Sequence, residues 1–174
     1  TPYVREFNEE RDLSAWFLLD LSASVDFGST ATRKSGVASD LVAVLARVLT
    51  RHGNRVGALM YGHRVDTVIP PRSGRRHVLH LMHAMASRAE LERSPEHGTR
   101  LGELIDAALA ALKRRALVFV VSDFVSAPGW QKPLAALAQR HDVVAVRLYD
   151  PLEQELPDLG MMLVEDAETG EQVF

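Results

Sequence analysis

The sequence contains no cysteine, and this absence narrows the chemistry open to the protein. Disulfide bonds, zinc–thiolate sites, iron–sulfur clusters and thiol nucleophiles are all excluded. A chain without cysteine fits a reducing compartment, and we therefore expect a cytoplasmic domain.

Long apolar runs and an excess of positive charge are also lacking. The strictly apolar stretches Ala15–Leu19 and Ala116–Val121 are about a third of the length that spans a bilayer. The 20 Lys and Arg residues stand against 23 Asp and Glu, which gives a net charge of −3. This balance does not indicate a nucleic-acid-binding protein or a polybasic membrane-surface protein. We expect neither nucleic acid nor membrane contact for this domain.

The composition that remains is that of a globular domain. Of the 174 residues, 47% are hydrophobic and 25% are charged, close to globular averages. We expect a single, monomeric domain over residues 1–174, taken from a longer protein that could carry a membrane anchor elsewhere. Within it, residues 1–12 are interpreted as a lead-in segment and residues 161–174 as a truncated C-terminal hairpin.

Predicted strands and helices alternate along the chain. Arg55–Tyr61 and Arg64–Ile69 flank Gly62-His63, which is typical of an antiparallel hairpin, and Pro70-Pro71 is expected to end its second strand. The alternation predicts an α/β, Rossmann-like fold with a central, mostly parallel sheet, one antiparallel edge strand and helices on both faces. The other predicted strands are Ala15–Asp20, Ala116–Val121 and Val143–Leu148, and the predicted helices are Val37–Leu49, His77–Ala86, Leu101–Leu112 and Trp130–Arg140.

Oxygen-bearing side chains follow the predicted strands. Asp20, Ser22 and Ser24 come directly after the first strand, Asp123 follows another buried strand, and Thr99 precedes the third helix. Open α/β sheets bind ligands at the carboxyl edge, so these five side chains are expected to converge there. Hydroxyl and carboxylate oxygens suit a hard cation such as Mg²⁺ or Mn²⁺. An ion held mainly by hydroxyls would keep much of its charge and attract a carboxylate from a partner.

Each of these residues also has a simpler interpretation. Asp20 could cap its loop, and the two serines could be turn residues. Thr99 could be the N-cap of the third helix, with Ser94 as a weaker alternative ligand. Asp26 lies close enough in sequence to tune the site, or it is a solvated loop carboxylate.

Three further features have weaker functional interpretations. We interpret His77, His80 and His83 as a solvated histidine face rather than metal ligands. The arginine cluster is interpreted as solvated, with phosphate or an acidic partner as the alternative ligand. Trp130 is assigned to the core in preference to a partner anchor. The arginines of this cluster are Arg72, Arg75 and Arg76.

The oxygen donors and their order resemble the metal-ion-dependent adhesion site of von Willebrand factor type A (vWA) domains, over nearly the whole chain from Arg11. The resemblance implies a vWA fold and an Mg²⁺ or Mn²⁺ ion held by Asp20, Ser22, Ser24, Thr99 and Asp123. More narrowly, the chain is similar to a bacterial subgroup of unknown function whose genes often lie beside those of MoxR-type AAA+ ATPases. The segments that carry this similarity are Val4–Phe7, Glu10–Asp12, Asp20–Ser24, Asp26–Gly28, Pro70–Arg72, Gly74–His77, Gly98-Thr99 and Ser122–Phe124.

The resemblance implies a protein-binding module rather than an enzyme. A partner would supply Glu or Asp to the metal, and the module would work with a MoxR-type ATPase in assembling or maturing protein complexes. The alternatives are a structural scaffold whose metal site stays empty and a metal-dependent phosphohydrolase. A phosphohydrolase of this kind requires another carboxylate two residues after Asp20, where this chain has Ser22. No G-x-x-x-x-G-K-[ST], G-x-S-x-G or G-x-G-x-x-G motif is present.

Overall fold

A computed structural model describes residues 13–29, 32–87, 98–154, 164–165 and 172–173. Five strands form the main sheet: β1 (Ser14–Asp20), β2 (Arg55–Tyr61), β3 (Val65–Arg72), β4 (Leu117–Ser122) and β5 (Asp142–Arg147). The helices are α1 (Lys34–Arg51), α2 (Arg75–Ala86), α3 (Leu101–Ala111), α4 (Gln131–Arg140) and the short α5 (Pro151–Gln154). A 3₁₀ turn spans Ala23–Asp26, and two short strands, β6 (Val164–Glu165) and β7 (Gln172–Val173), pair with each other.

The strand order in the main sheet is β3-β2-β1-β4-β5. Strand β1 pairs in parallel with β2 and with β4, and β4 pairs in parallel with β5. Strand β3 is antiparallel to β2 and forms one edge. The predicted mostly parallel sheet with one antiparallel edge strand is therefore confirmed.

Strand β1 lies at the centre and divides the core into two layers. Phe17 and Leu19 pack on the side of α1 and α2. Trp16 and Leu18 face the opposite side, with apolar residues of α3 and α4. Successive side chains of a strand point to opposite faces, so a continuous apolar run is the pattern required of a strand buried on both sides. Helices on both faces are thus confirmed.

The prolines of β3 do not end the strand, contrary to the prediction from sequence. The strand continues through Pro70 and Pro71 to Arg72, which pairs with Val56 after a register irregularity. Proline cannot donate to a ladder, but at the edge of a sheet no outer strand needs that donor.

The ends of the remaining elements differ from prediction by a few residues. Helix α1 begins at Lys34, three positions before the predicted Val37, and ends before Gly53, whose φ of +80° fits a C-terminal glycine. Helix α5 was not predicted. Strands β6 and β7, which lie within the predicted tail hairpin, pair antiparallel; the other residues of that hairpin, and residues 1–12, lie outside the described residues. Among the described residues, no helix combines the length and apolarity needed to cross a bilayer.

Candidate metal centre

The candidate site lies where β1 and β4 end side by side. Asp20 is the last residue of β1, and Ser122 is the last residue of β4, with Asp123 directly after it. The two strands are parallel neighbours, so both carboxylates emerge at the same edge of the sheet. Asp20 and Asp123 are both almost completely buried.

Asp20 is held at both carboxylate oxygens by neutral donors. The backbone N–H of Ser22 donates to Oδ1 at 3.1 Å, and the hydroxyl of Ser122 donates to Oδ2 at 2.6 Å. Burial raises the pKa of Asp20 to about 6; the bonds from Ser122 and Ser22 oppose the rise, and the charge of Asp123 adds to it. A divalent cation at this carboxylate would favour its charged form.

Ser22 and Ser24 bring two hydroxyl oxygens together. The 3₁₀ turn begins directly after Ser22, and the two Oγ atoms lie 3.1 Å apart. Neighbouring ligands of an octahedral Mg²⁺ ion, each at about 2.0–2.1 Å from the metal, are separated by about 2.9 Å. The pair therefore fits two adjacent positions of one metal ion with little rearrangement.

Both carboxylate oxygens of Asp123 also accept hydrogen bonds, but one of the two donors is charged. The N–H of Val125 donates to Oδ1 at 2.9 Å, and the buried ammonium of Lys34 donates to Oδ2 at 3.1 Å. All four oxygens of the two carboxylates thus accept a hydrogen bond from the protein. Such bonds fix the orientation of groups around a metal, either as direct ligands or through water.

Thr99 is buried and is anchored at the same edge through its main chain. Its carbonyl oxygen accepts bonds from the N–H of Ala127 at 2.9 Å and from the hydroxyl of Ser126 at 3.0 Å. The next residue, Arg100, donates its N–H to the Tyr61 hydroxyl at 2.9 Å, and Tyr61 pairs with Asp20 in the sheet. The segment before α3 is therefore tied to the end of β2 and to the loop that follows β4.

The alternative role of Thr99 as a helix N-cap is wrong. Helix α3 begins at Leu101, and its N-cap is Arg100, without a side-chain capping bond. Ser94, the alternative ligand, lies outside the described residues.

The donor set fits a hard cation. Within the described ranges, no group of three or more His, Cys, Asp or Glu side chains is arranged to hold a metal. The candidate set instead combines two carboxylates with three hydroxyls, and oxygen ligands of this kind suit Mg²⁺ or Mn²⁺. If the hydroxyls bind directly and the two carboxylates act mainly through water, such an ion would keep much of its positive charge.

The family of the chain follows from its sequence over the full length. The family model described as "Protein of unknown function DUF58" matches residues 1–174. The chain belongs to the DUF58 family. Among its relatives, the uncharacterized proteins Mb1516 of Mycobacterium bovis and Rv1480 of Mycobacterium tuberculosis are each 36% identical over 171 residues. These matches cover 97% of this chain and 53% of each relative, so the chain spans about half the length of these proteins.

Solved structures share the fold of this DUF58 chain. The crystal structure of an aerotolerance-related membrane protein from Bacteroides fragilis matches with a TM-score of 0.69 and 16% identity, covering 92% of this chain and 80% of that one. The conserved hypothetical protein BatB from Bacteroides thetaiotaomicron matches with a TM-score of 0.62 and 18% identity, covering 78% and 66%. At these identities the likeness establishes only that this chain shares the α/β fold of those two proteins.

Other candidates from the DUF58 sequence take part in local contacts. Asp26 forms an ion pair with Arg33 at 2.9 Å and accepts a bond from Ser35 at 3.0 Å. His80 and His83 are exposed, as expected. The expectation of a solvated face is wrong for His77, which is buried and lies 2.6 Å from the carbonyl oxygen of Val56.

The remaining two candidates agree with their simpler interpretations. The three clustered arginines are exposed. Trp130 is partly buried and packs on Phe124 with ring centroids 5.4 Å apart, as expected of a core position. Phe124 itself has a φ of +61°, a conformation that bulky residues rarely adopt, directly after Asp123. Such strain clusters at functional sites.

Three residues of the site region were given no role by reasoning from sequence. Ser122 ends an apolar strand with a polar side chain, which is a usable signal for a role at the strand end. Lys34 begins a helix with a positive charge, against the usual preference for negative charge there, and this too is a signal. Glu153 offers no signal in the sequence, because its contact with Lys34 joins positions 119 residues apart.

Proposed function

We propose that this DUF58 domain is a metal-dependent protein-binding module. In this proposal, Ser22, Ser24 and Thr99 bind Mg²⁺ or Mn²⁺ through their hydroxyls. Asp20 and Asp123 hold the ion directly or through water. The observation that carries the proposal is the 3.1 Å separation of the Ser22 and Ser24 hydroxyls beside a buried, hydrogen-bonded carboxylate. The positive charge of the ion would attract the carboxylate of a Glu or Asp supplied by a partner.

Exposed apolar side chains around the same edge support a protein as that partner. Phe27 follows β1, Val125 follows β4, and Tyr149 and Leu152 follow β5, and all four are exposed. These three strands are neighbours in the sheet, so their loops lie on one end of the molecule. Large apolar side chains grouped with a polar centre are typical of protein interaction sites.

We favour binding over catalysis because of the residue at position 22. A phosphohydrolase of the type considered above needs a carboxylate there as its acid or base, whereas Ser22 is paired with Ser24. The identity of the partner rests on sequence resemblance alone, which suggests a MoxR-type AAA+ ATPase in the cytoplasm and a role in assembling or maturing protein complexes.

The metal site is tested by thermal unfolding in EDTA and across a titration with Mg²⁺ or Mn²⁺. An ion at 100 times its dissociation constant adds about 2.7 kcal/mol, which for a domain of this size raises Tm by roughly 5–10 °C. We expect a saturable rise in the wild type and in Ser87→Ala, a matched control whose hydroxyl bonds to the His83 carbonyl. Ser22→Ala and Ser24→Ala should lose the rise. No rise in the wild type, or an undiminished rise in both site variants, would overturn the site.

The same proteins test the partner. A purified MoxR-type ATPase is expected to co-elute with the wild type and Ser87→Ala in Mg²⁺, but not in EDTA and not with Ser22→Ala. Co-elution that ignores both EDTA and the substitution would contradict metal-dependent binding.

A further inference from the structure

Lys34 stands where two general tendencies disfavour a lysine. It is only 4% exposed, and lysine is almost never fully buried unless its charge is paired. It is also the first residue of α1, and the positive end of the helix dipole disfavours a cation in the first turn. Contacts from elsewhere in the chain must therefore compensate for both effects.

The compensation comes from two carboxylates that both contact the ammonium. Nζ of Lys34 lies 3.1 Å from Oδ2 of Asp123 and 2.5 Å from Oε1 of Glu153. Asp123 belongs to the candidate metal centre, whereas Glu153 lies in α5 and is 33% exposed. Lys34 thus joins the metal centre to the segment that follows β5.

That segment is fastened at further points, so the position of Glu153 is fixed. Oε2 of Glu153 accepts a bond from the N–H of Asp150 at 3.1 Å. The side chain of Asp150 in turn accepts bonds from the N–H of Ser29 at 2.9 Å and from the Ser29 hydroxyl at 2.5 Å. The α5 segment is therefore attached both to Ser29, in the loop between β1 and α1, and to Lys34, where α1 begins.

We propose that Lys34 is a built-in cation that sets the metal affinity of this centre and that Glu153 moderates its effect. This inference rests on the proposed function. The ammonium and a divalent ion have the same sign and draw on the same carboxylate, Asp123, so the lysine lowers the affinity for the metal. Glu153 attracts the ammonium and cancels part of its charge, so it raises that affinity. Even at the dielectric constant of water, a unit charge roughly 6 Å from a divalent ion changes its affinity about tenfold.

The two residues should consequently act in opposite directions, which a loss of packing would not produce. We test this by calorimetric titration of Mg²⁺ alone into the wild type, Lys34→Met, Lys34→Arg and Glu153→Gln. Lys34→Met keeps the length of the side chain and removes its charge, and we expect it to bind Mg²⁺ about tenfold more tightly. Glu153→Gln should bind several-fold more weakly, and Lys34→Arg should bind as the wild type does.

Each outcome decides the matter. Lys34→Met with wild-type or weaker affinity, or Glu153→Gln with unchanged or tighter affinity, would overturn the inference. If Ser22→Ala abolishes binding while both charge variants match the wild type, the proposed function stands and this inference fails. An absence of Mg²⁺ binding by the wild type refutes both proposals. Should Lys34→Met not fold, the partly exposed Glu153→Gln still shows whether the Mg²⁺ affinity changes in the expected direction.

Discussion

Asp20 and Asp123 are two buried carboxylates whose surroundings differ by one charge. The carboxylate of Asp123 contacts the ammonium of Lys34, whereas that of Asp20 accepts bonds from a hydroxyl and a backbone N–H. Neutral donors compensate poorly for burial, and for this reason the pKa of Asp20 is raised to about 6. At neutral pH without metal, Asp20 is a charged group in a position that favours the neutral form.

The raised pKa of Asp20 predicts that the stability of the metal-free protein depends on pH. The folded-state pKa of Asp20 lies above the ordinary value of 3.8, so its stabilising contribution is complete below about pH 4 and is lost as pH rises through about 6. The loss amounts to roughly 3 kcal/mol at most, from a shift of about two pKa units. Chemical denaturation in EDTA from pH 4 to pH 7 should therefore show Asp20→Asn gaining stability relative to the wild type as pH rises.

The comparison with Asp20→Asn is needed because His141 acts in the opposite direction over the same range. Burial lowers the pKa of His141, so its unfolded form binds protons that the folded form does not, and its contribution to stability grows as pH rises towards 6.5. That contribution is the same in both proteins and cancels in their difference. Parallel stability profiles for the two proteins would show that Asp20 does not titrate in this range.

At the scale of elements, a glycine on β2 shows how closely the strands approach one another. A Cβ atom at Gly57 would lie 2.9 Å from the carbonyl oxygen of Ile69 and 3.0 Å from the Trp16 ring. The first of these is backbone of the edge strand β3, near its two prolines, and cannot move aside without disturbing the ladder. At Gly36, in the first turn of α1, no atom outside its chain neighbours and the backbone of its own helix lies within 4 Å of the corresponding position.

Substituting alanine at these two glycines should have opposite effects on stability. Gly57→Ala should lower the free energy of unfolding by about 1–3 kcal/mol because the added methyl group overpacks the sheet. Gly36→Ala should raise it by up to about 1 kcal/mol because alanine is the better helix former. Urea denaturation of both variants beside the wild type measures these changes, and a neutral Gly57→Ala would show that β3 can shift away from β2.

The elements that sequence reasoning located are those with a strong repeating pattern. Strands β1 and β4 are apolar at nearly every position because both faces of the central sheet are buried. The end of β3 was misplaced because only its edge position, a property of the whole sheet, makes Pro70-Pro71 acceptable. Helix α5 has four residues, too few for any periodicity, so sequence offers no helical pattern there.

The candidate site was predictable to the extent that its residues follow strand ends. Asp20, Ser22, Ser24 and Asp123 could be named because parallel strands bring their carboxyl ends to one edge. The hydrogen-bond partners could not be named in the same way, because the contact of Ser122 with Asp20 spans 102 residues and that of Lys34 with Glu153 spans 119. Such pairings depend on how the chain closes on itself.

At the scale of the whole molecule, the strand order places the candidate ligands at the ends of the most protected strands. Strand β1 is central, with β4 beside it, and the side chains of Phe17, Leu18 and Leu19 are fully buried. Amides in such strands exchange with solvent only when the whole domain unfolds, whereas those of an edge strand also exchange through local opening. A ligand that binds only the folded state slows the first kind of exchange alone.

Hydrogen exchange of the central-strand amides therefore measures how much metal binding stabilises the whole domain. With Mg²⁺ at 100 times its dissociation constant, amides of Phe17, Leu19 and Val120 should exchange about 100-fold more slowly than in EDTA. Amides of β3 that exchange by local opening should keep their rates. In Ser22→Ala, Mg²⁺ should not slow the exchange of the β1 or β4 amides. Slowing confined to the loops near Ser22, with the β1 and β4 amides unchanged, would contradict binding that is coupled to folding of the whole domain. Any ion bound only by the folded state must lower the population of the globally unfolded state, through which these amides exchange.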